Sequence, residues 1–195
     1  MKIERYTREQ LGMSGEQFTR EFVNAHDLEF LGDGACATVY KGKDCVYKIG
    51  TVKDNQAYLA YIQTIAESGI QNPFLPKVFG VRIVAENVIV ALEELSDEFY
   101  AGDMKEQIGI GHHELETLCE WIAYNHNNEN QARIDEYSLK IKKKFRNELM
   151  AAAYIVAATT KSPNSKGCRF DMHAGNFMLR GQQVVITDPL CDDHI

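Results

Sequence analysis

The sequence predicts an α+β fold in which a β-rich half precedes a helical half. Short runs of β-branched and aromatic residues, separated by glycine-containing turns, fill much of residues 28–92, as expected for strands. Longer patterns with helical spacing occupy residues 113–159, and a further predicted hairpin follows them. With 195 residues, the chain is long enough to bury a substantial core in one domain, or in one small domain of two lobes.

Composition argues against several broad classes of protein. The chain carries 28 acidic and 21 basic side chains, a net charge of −7, which argues against a broad basic surface for nucleic acid. Its longest apolar runs, 88–92 and 151–158, are far shorter than the ~20 residues of a membrane span, so no membrane partner is expected. The five cysteines form no C-x-x-C pair, and we expect free thiols in a reducing cytosol.

The β-rich half begins with a leader and one helix within residues 1–26, where Ser14 and Gln17 form a capping-box pattern. A second helix is predicted at 54–67, because Gly69 and two prolines follow it. Turn-forming residues separate the remaining apolar runs. They predict five strands, at 28–32, 38–41, 45–49, 78–84 and 87–92.

The second half of the chain is mainly helical. Helical spacing predicts one helix at 113–125 and one long helix at 134–159. A loop at 168–176 follows, and it leads into a hairpin whose strands are predicted at 177–179 and 184–187.

Two glycines mark the turn between the first two predicted strands. Gly32 and Gly34 stand in the sequence LGDGACATVYK, residues 31–41, and a residue without a Cβ lets the backbone approach a phosphate chain closely. Val39 would follow on the returning strand, where it could lie against a purine ring. A plain hairpin would account for the same two glycines.

A lysine stands among apolar residues of a predicted strand, in the sequence Val46-Tyr47-Lys48-Ile49. A buried ammonium group needs an anionic partner, and the α/β-phosphates of a nucleotide would supply one. The alternative is an edge strand whose lysine points outward to solvent.

The most specific pattern is FDMHAGNFML at 170–179 followed by VVITDP at 184–189. Asp171 and Asn176 are five residues apart in a loop, and Asp188 follows at the end of an apolar strand. Mg²⁺ prefers a few oxygen ligands and keeps its other positions for phosphate and water, so Asn176 and Asp188 are candidate ligands. Asp171 would then accept a proton from an attacking hydroxyl. A structural loop with a capping aspartate is the alternative.

Together the three motifs resemble those of the protein-kinase fold. The glycine turn is similar to the kinase glycine-rich loop, with Ala37 in place of its third glycine. Lys48 stands where the kinase strand lysine would be, and Asp188 stands where D-F-G would begin. The stretches 31–50 and 170–189 are similar to the early serine/threonine protein kinases of lytic phages of the T-seven type.

The resemblance implies a minimal two-lobed protein-kinase-like fold, with a β-rich N-lobe and a truncated helical C-lobe. A helical extension would cover residues 1–26, the N-lobe residues 27–95 and the C-lobe residues 96–195. ATP would lie in the cleft between the lobes, with the backbone of Glu93 and Leu95 beside its adenine.

The resemblance also implies how single residues would act. Gly32 and Gly34 would cover the phosphates of ATP, and Lys48 would hold its α/β-phosphates. Asp171 would orient and deprotonate a serine or threonine hydroxyl. His173 would contact the γ-phosphate or brace the loop.

Some positions depart from the kinase pattern. Phe170 replaces the usual arginine before the catalytic aspartate. The helical glutamate that normally pairs with the strand lysine has Glu67 as its candidate. Seven residues follow Asp188, too few for an activation segment, so protein substrates would be held elsewhere, by the 96–160 region or the N-terminal helix.

The resemblance implies a kinase that transfers the ATP γ-phosphate to host proteins in the cytoplasm of an infected bacterium. Its partners would belong to the transcription or RNA-processing machinery, such as RNA polymerase, and the C-terminal host-shutoff domain of longer members is expected to be missing. Two alternatives stay open. One is a pseudokinase or host-protein-binding inhibitor. The other is a small-molecule phosphotransferase of the aminoglycoside-kinase type, whose loop resembles Asp171-Met172-His173.

Overall fold

Ten strands and seven α-helices make up the part of the chain that the computed structural model describes, residues 3–99, 101–124, 128–165 and 167–192. The strands are β1 Ile3–Tyr6, β2 Glu29–Asp33, β3 Ala37–Lys41, β4 Val46–Thr51, β5 Val78–Val84, β6 Asn87–Leu92, β7 Cys168–Phe170, β8 Phe177–Arg180, β9 Gln183–Ile186 and β10 Leu190–Asp192. The helices are α1 Arg8–Leu11, α2 Gly15–Ala25, α3 Gln56–Ser68, α4 Ala101–Ile108, α5 His112–Ala123, α6 Asn128–Lys140 and α7 Arg146–Thr159. The predicted α+β class is therefore confirmed.

The residues divide into two units by their internal packing. Unit 1 comprises Met1–Gln56 with Lys77–Glu94, and unit 2 comprises Ala57–Pro76 with Leu95–Ile195. The predicted division into a helical extension at 1–26, an N-lobe at 27–95 and a C-lobe at 96–195 stays a prediction. In the structure the first strand and helices belong to the unit that contains the large sheet, whereas α3 from Ala57 onward groups with the second unit.

A six-stranded sheet forms the framework of unit 1, in the order β1-β5-β6-β4-β3-β2. Neighbouring strands are antiparallel except β1, which runs parallel to β5. Strand β1 is not among the predicted strands, because its four residues include two charged side chains and contain no apolar run. Glu4 lies in register with Arg82, whose guanidinium donates to the Glu4 carboxylate at 3.2 Å. A cross-strand ion pair thus contributes to a pairing that apolar periodicity does not reveal.

Helix α2 packs on this sheet and confirms the helix predicted within residues 1–26. The Ser14 hydroxyl accepts a hydrogen bond from the Gln17 amide at 3.1 Å, and this bond caps the helix. Phe22 of α2 forms a buried core with Ile49 of β4 and Ile89 of β6. Burial of this apolar stripe fixes the helix against one face of the sheet.

Unit 2 is built from helices and two small sheets. Helix α7 packs against α5 and α6, and its buried side includes the small residues Ala152 and Ala153, which let neighbouring helices approach closely. Strands β8 and β9 form an antiparallel hairpin, and β10 pairs antiparallel with β7. Among the described residues, no helix is both long and apolar enough to cross a membrane.

The single long helix predicted at 134–159 is wrong, because the chain breaks it into α6 and α7. Between these helices Ile141 is 1% exposed. The Arg146 guanidinium donates to Leu139 O at 3.1 Å and to Ile141 O at 3.2 Å, and these carbonyls lie at the end of α6. Burial of Ile141 and pairing of the terminal carbonyls both favour the break, and helical spacing reveals neither.

Replacing Ser14 by alanine should lower the free energy of unfolding by about 1 kcal/mol, because the N-cap hydroxyl is lost. Urea denaturation followed by circular dichroism measures this change. Ser138→Ala is the matched control, since the Ser138 hydroxyl donates to Asp135 O inside α6 at 2.7 Å and alanine is the better helix former. Equal losses of stability in the two variants would contradict the capping role of Ser14.

Candidate active site

The turn between β2 and β3 carries the two glycines of the predicted phosphate-binding loop. The Gly34 amide donates to Ala37 O at 2.9 Å. The Thr38 hydroxyl donates to Asp33 Oδ1 at 2.7 Å across the two strands. These two bonds close the turn and define its shape without help from a ligand.

Crowding inside the protein does not require either glycine. A Cβ on Gly32 would have no heavy atom within 4 Å, and a Cβ on Gly34 would meet Ala37 O at 3.5 Å, an ordinary contact. Neither residue has a left-handed backbone. Open space beside the backbone would admit a ligand that approaches it closely, and a plain hairpin accommodates the same two glycines, so both interpretations stay open.

The lysine predicted to bind a nucleotide lies in an interior strand of the sheet. Gly32 pairs with Val39, Val39 with Lys48, and Lys48 with Val90, so the four residues form one row across the sheet. Directly paired residues share a face, so Val39 and Lys48 point to the side opposite Ile49, which packs with α2. Because β4 lies between β3 and β6, Lys48 is not on an edge strand, whereas the alternative that its half-buried side chain points to solvent stays open.

A buried asparagine that the sequence analysis misses supports the glycine turn. Asn55 is 3% exposed, and its Nδ2 donates to Cys36 O and to Thr51 O, both at 2.8 Å. Cys36 lies at the end of the turn and Thr51 at the end of β4, so one side chain ties the turn to the strand that carries Lys48. In the sequence Asn55 is indistinguishable from a helix-capping residue before α3.

The segment predicted to contact adenine follows β6. The Glu93 amide donates to Lys77 O at 3.1 Å, and the Glu93 carboxylate accepts from the Lys77 amide at 2.7 Å. Because the Glu93 amide is already paired with Lys77 O, an adenine contact would have to use other backbone groups of Glu93 and Leu95. The role of both residues stays a prediction.

The residues of the predicted catalytic loop lie together in unit 2. Asn176 Nδ2 donates to Asp171 O at 2.6 Å and lies 3.3 Å from Asp171 Oδ2. The amide and the hydroxyl of Thr187 both donate to Asn176 O, at 2.9 and 2.8 Å. Since Thr187 directly precedes Asp188, Asn176 connects the loop of Asp171 to the strand end that carries Asp188.

Two three-residue strands, β7 and β10, frame this loop and are missed by the sequence analysis. They pair with Phe170 opposite Leu190, and the Asp171 amide donates to Pro189 O at 2.9 Å. Strands this short show no periodic pattern. The pairing places Asp171 beside the residue that follows Asp188.

His173 braces the same loop. Its Nδ1 accepts a hydrogen bond from the Gly175 amide at 3.1 Å, and its Nε2 lies 3.8 Å from Asp171 Oδ2. The side chain is 61% exposed. Of the two roles that the sequence analysis leaves open, the structure contains the bracing contact, and contact with a γ-phosphate stays a prediction.

Two buried tyrosines of α3 lie near Asp188. Tyr61 is fully buried, and its hydroxyl donates to Ile186 O at 2.7 Å. Burial raises the pKa of Tyr58 well above its ordinary value, and the Asp188 carboxylate raises it further. Burial is also the main cause of the raised pKa of Tyr61. Both phenols therefore stay protonated beside Asp188.

Asn176 and Asp188 are the side chains at this position that could hold a magnesium ion. Asn176 uses its amide nitrogen inside the loop, so its Oδ1 is the end that could ligate a cation, and Asp188 is partly exposed. Mg²⁺ bound together with a nucleotide needs only one or two such groups, since phosphate and water supply the rest. In the described ranges, no group of three or more His, Cys, Asp and Glu side chains is arranged to hold a metal ion.

Helix α5 begins next to this loop, which the sequence analysis does not anticipate. The ring centroid of His112 lies 6.4 Å from that of Phe177, the residue after Asn176. Burial and the neighbouring His113 lower the pKa of His112, and His173 adds to the shift. His112 therefore presents a neutral imidazole at neutral pH.

The predicted partner of Lys48 is Glu67, in the last turn of α3. Its carboxylate accepts a hydrogen bond from Gln63 Nε2 at 2.6 Å, and the residue is exposed. These observations describe its local surroundings, and its pairing with Lys48 stays a prediction.

Comparison with protein-family models and with curated proteins finds no match for this chain. The interpretation of the site therefore rests on the motifs and on the contacts described above.

Replacing Asn55 by alanine should lower the free energy of unfolding by about 1–3 kcal/mol, because two part-buried carbonyl oxygens lose their donor. Asn55→Asp keeps the shape of the side chain but cannot donate, so it should destabilise the protein at least as much. Urea denaturation measures both variants. The control is Asn24→Ala on the exposed side of α2, which should stay within about 0.5 kcal/mol of the parent. An Asn55→Ala variant as stable as this control would contradict the bracing role.

Proposed function

We propose that this protein is an ATP-dependent serine/threonine protein kinase with a kinase-like arrangement of two lobes. The observation that carries the proposal is the contact network in which Asn176 joins Asp171 to Thr187, the residue directly before Asp188. Asp171 and Asn176 precede the β8–β9 hairpin, and Asp188 follows it. A proton acceptor, an amide oxygen and a second carboxylate are the groups that phosphoryl transfer requires.

In this proposal unit 1 binds the nucleotide. The backbone at Gly32 and Gly34 would lie against the phosphates, where no Cβ stands in the way. Lys48 would pair with the α/β-phosphates, and Val39, which lies in register with Lys48, would contact the adenine ring. Position on an interior strand holds both side chains in a fixed direction, which favours recognition of one nucleotide geometry.

Unit 2 would supply the groups that act during transfer. Asn176 and Asp188 would hold Mg²⁺, which neutralises charge on the transferring phosphate. Asp171 would orient the acceptor hydroxyl and take up its proton. His173, 3.8 Å from Asp171 Oδ2, would keep that carboxylate in place. The rate enhancement would come mainly from positioning and charge stabilisation, because the phosphoryl-transfer transition state requires little covalent chemistry from the protein.

The resemblance of residues 31–50 and 170–189 to the phage kinases supports the choice of substrate. By that resemblance the acceptors are serine or threonine residues of host proteins, such as RNA polymerase or RNA-processing enzymes, in the cytoplasm of an infected bacterium. A net charge of −7 supports protein rather than nucleic acid as the partner.

The 3.8 Å distance between His173 Nε2 and Asp171 Oδ2 favours a second candidate, a small-molecule phosphotransferase. The Asp171-x-His173 spacing, with both side chains at the same loop surface, is also similar to the loop of aminoglycoside kinases. The acceptor that becomes labelled in the experiment below separates the two functions.

Asp171→Ala should reduce phosphoryl transfer by about 100- to 10,000-fold, the range expected when a general base is removed. Asp188→Ala should abolish magnesium-dependent transfer. Incubation with γ-labelled ATP, Mg²⁺ and a bacterial protein extract measures both, and thermal unfolding checks that each variant is folded. Asp135→Ala, an exposed carboxylate on α6, is the matched control and should retain full activity.

Label on protein bands that disappears in Asp171→Ala supports a protein kinase. Label found only when an aminoglycoside replaces the extract would shift the assignment to a small-molecule phosphotransferase. ATP binding without transfer to either acceptor would favour the pseudokinase or host-binding alternative. An Asp171→Ala variant with near-parental turnover would remove Asp171 from the proposed base role.

Lys48→Met should weaken ATP binding about 10- to 100-fold, because a hydrogen bond to a charged group contributes about 1.5–3 kcal/mol and each factor of ten corresponds to about 1.4 kcal/mol. Isothermal titration with ATP and Mg²⁺ measures the dissociation constant. Lys43→Met, in the exposed turn after β3, removes the same charge elsewhere in unit 1 and should leave the affinity unchanged. Equal affinities in the two variants would contradict the role of Lys48.

A further inference from the structure

Helix α3 contacts the chain before Asp188 through one buried hydroxyl. Tyr61 is fully buried, and its hydroxyl donates to Ile186 O at 2.7 Å. Ile186 also donates its own amide to Phe74 O at 2.8 Å. The last residue of β9 is thus held on both sides, two residues before Asp188.

The same helix contacts the chain after Asp188 through its first turn. The Ala57 amide donates to both carboxylate oxygens of Asp192, at 3.1 and 3.3 Å. Amides in the first turn of a helix lack intrahelical acceptors, and the helix dipole favours a negative charge there. Asp192 on β10 therefore serves as a cap for α3 that comes from a distant part of the sequence.

Between these two contacts lies the Asp188 segment, residues 186–192. Its inner residues are tied to the candidate site, since Thr187 donates to Asn176 O and Pro189 accepts from the Asp171 amide. Its two outer residues are tied to α3. Asp188 itself is therefore carried by a segment that the helix fixes at both ends.

We infer that Asp192 and Tyr61 are positioning residues, which hold the Asp188 carboxylate where it ligates Mg²⁺ by anchoring the Asp188 segment to α3. This inference rests on the proposed function, and it adds a role for α3 in metal affinity. Neither residue touches the ion or the substrate. Outer residues that orient a metal ligand typically change metal affinity by 10- to 100-fold.

Three variants test the inference. Asp192→Ala removes the cap, Asp192→Asn keeps an oxygen that can accept from the Ala57 amide, and Tyr61→Phe removes the hydroxyl while keeping the ring. The matched controls are Asp135→Ala and Tyr154→Phe, both at exposed helix positions.

The first readout is the affinity for Mn²⁺ in place of Mg²⁺, measured by electron paramagnetic resonance with a non-hydrolysable ATP analogue. Asp192→Ala and Tyr61→Phe should each weaken Mn²⁺ binding roughly 10-fold, and Asp192→Asn should restore most of the affinity. The Mg²⁺ concentration for half-maximal transfer should rise in parallel, with little change in analogue affinity without metal. A loss of fold alone would weaken analogue binding and Mn²⁺ binding together.

The second readout is hydrogen exchange of the peptide that covers residues 183–192, in the protein without metal or nucleotide. Faster exchange is expected in Asp192→Ala and Tyr61→Phe, and parental exchange in Asp192→Asn and in both controls. If Asp192→Ala does not fold, the Mn²⁺ affinity and the hydrogen exchange of Tyr61→Phe decide whether the positioning role holds.

The two proposals fail in different ways. A parent protein that transfers phosphate, with Mn²⁺ affinity and exchange unchanged in the folded variants, overturns the positioning role and leaves the kinase assignment intact. A parent protein that binds no Mn²⁺ in the presence of the ATP analogue overturns the proposed function, and the positioning role for a metal ligand falls with it.

Discussion

The candidate site depends on the hydrogen bonds made by one residue, Asn176. Its side-chain nitrogen is committed to Asp171 O, and its carbonyl oxygen accepts from both the amide and the hydroxyl of Thr187. The two carboxylates of the site, Asp171 and Asp188, come from different segments, and this asparagine joins them, together with the hydrogen bond from the Asp171 amide to Pro189 O. The Asn176 backbone carbonyl accepts the bonds from Thr187, so these bonds would survive a substitution of the Asn176 side chain. The side-chain bond to Asp171 O, which orients the loop, would be lost.

Local patterns in the sequence predict much of the fold. The strands that become β5 and β6 have strong apolar runs and a tight turn, and they lie where the sequence places them. The elements that escape prediction depend on distant partners. Strand β1 pairs with β5, where Arg82 forms an ion pair with Glu4. Strands β7 and β10 pair with each other. Burial of Ile141 favours the break between α6 and α7. Helix α4 has mixed polarity and no capping pattern. Short or charged segments acquire regular structure only once the partner strand or helix is in place.

The candidate site shows the same division. The sequence indicates Lys48, Asp171 and Asp188 because each belongs to a motif with fixed spacing. It gives no sign of Asn55 or Tyr61, because each acts through a carbonyl group far along the chain. Buried polar side chains that bind backbone carbonyls produce no periodic pattern in the sequence. Residues that belong to a motif with fixed spacing are thus easier to find in this sequence than buried residues that hold such a motif in place.

The parallel pairing of β1 with β5 also bears on how the protein behaves in concentrated solution. Strand β5 contains Val81, Ile83 and Val84, all buried, and an uncovered strand of this kind is a template for intermolecular β-pairing. With β1 in place, the sheet instead ends in a short strand that carries Glu4 and Arg5, and charged outer strands resist such association. We therefore expect strand β1 to protect this edge of the sheet from intermolecular pairing, and a fusion partner or cleavage site that displaces β1 to favour precipitation.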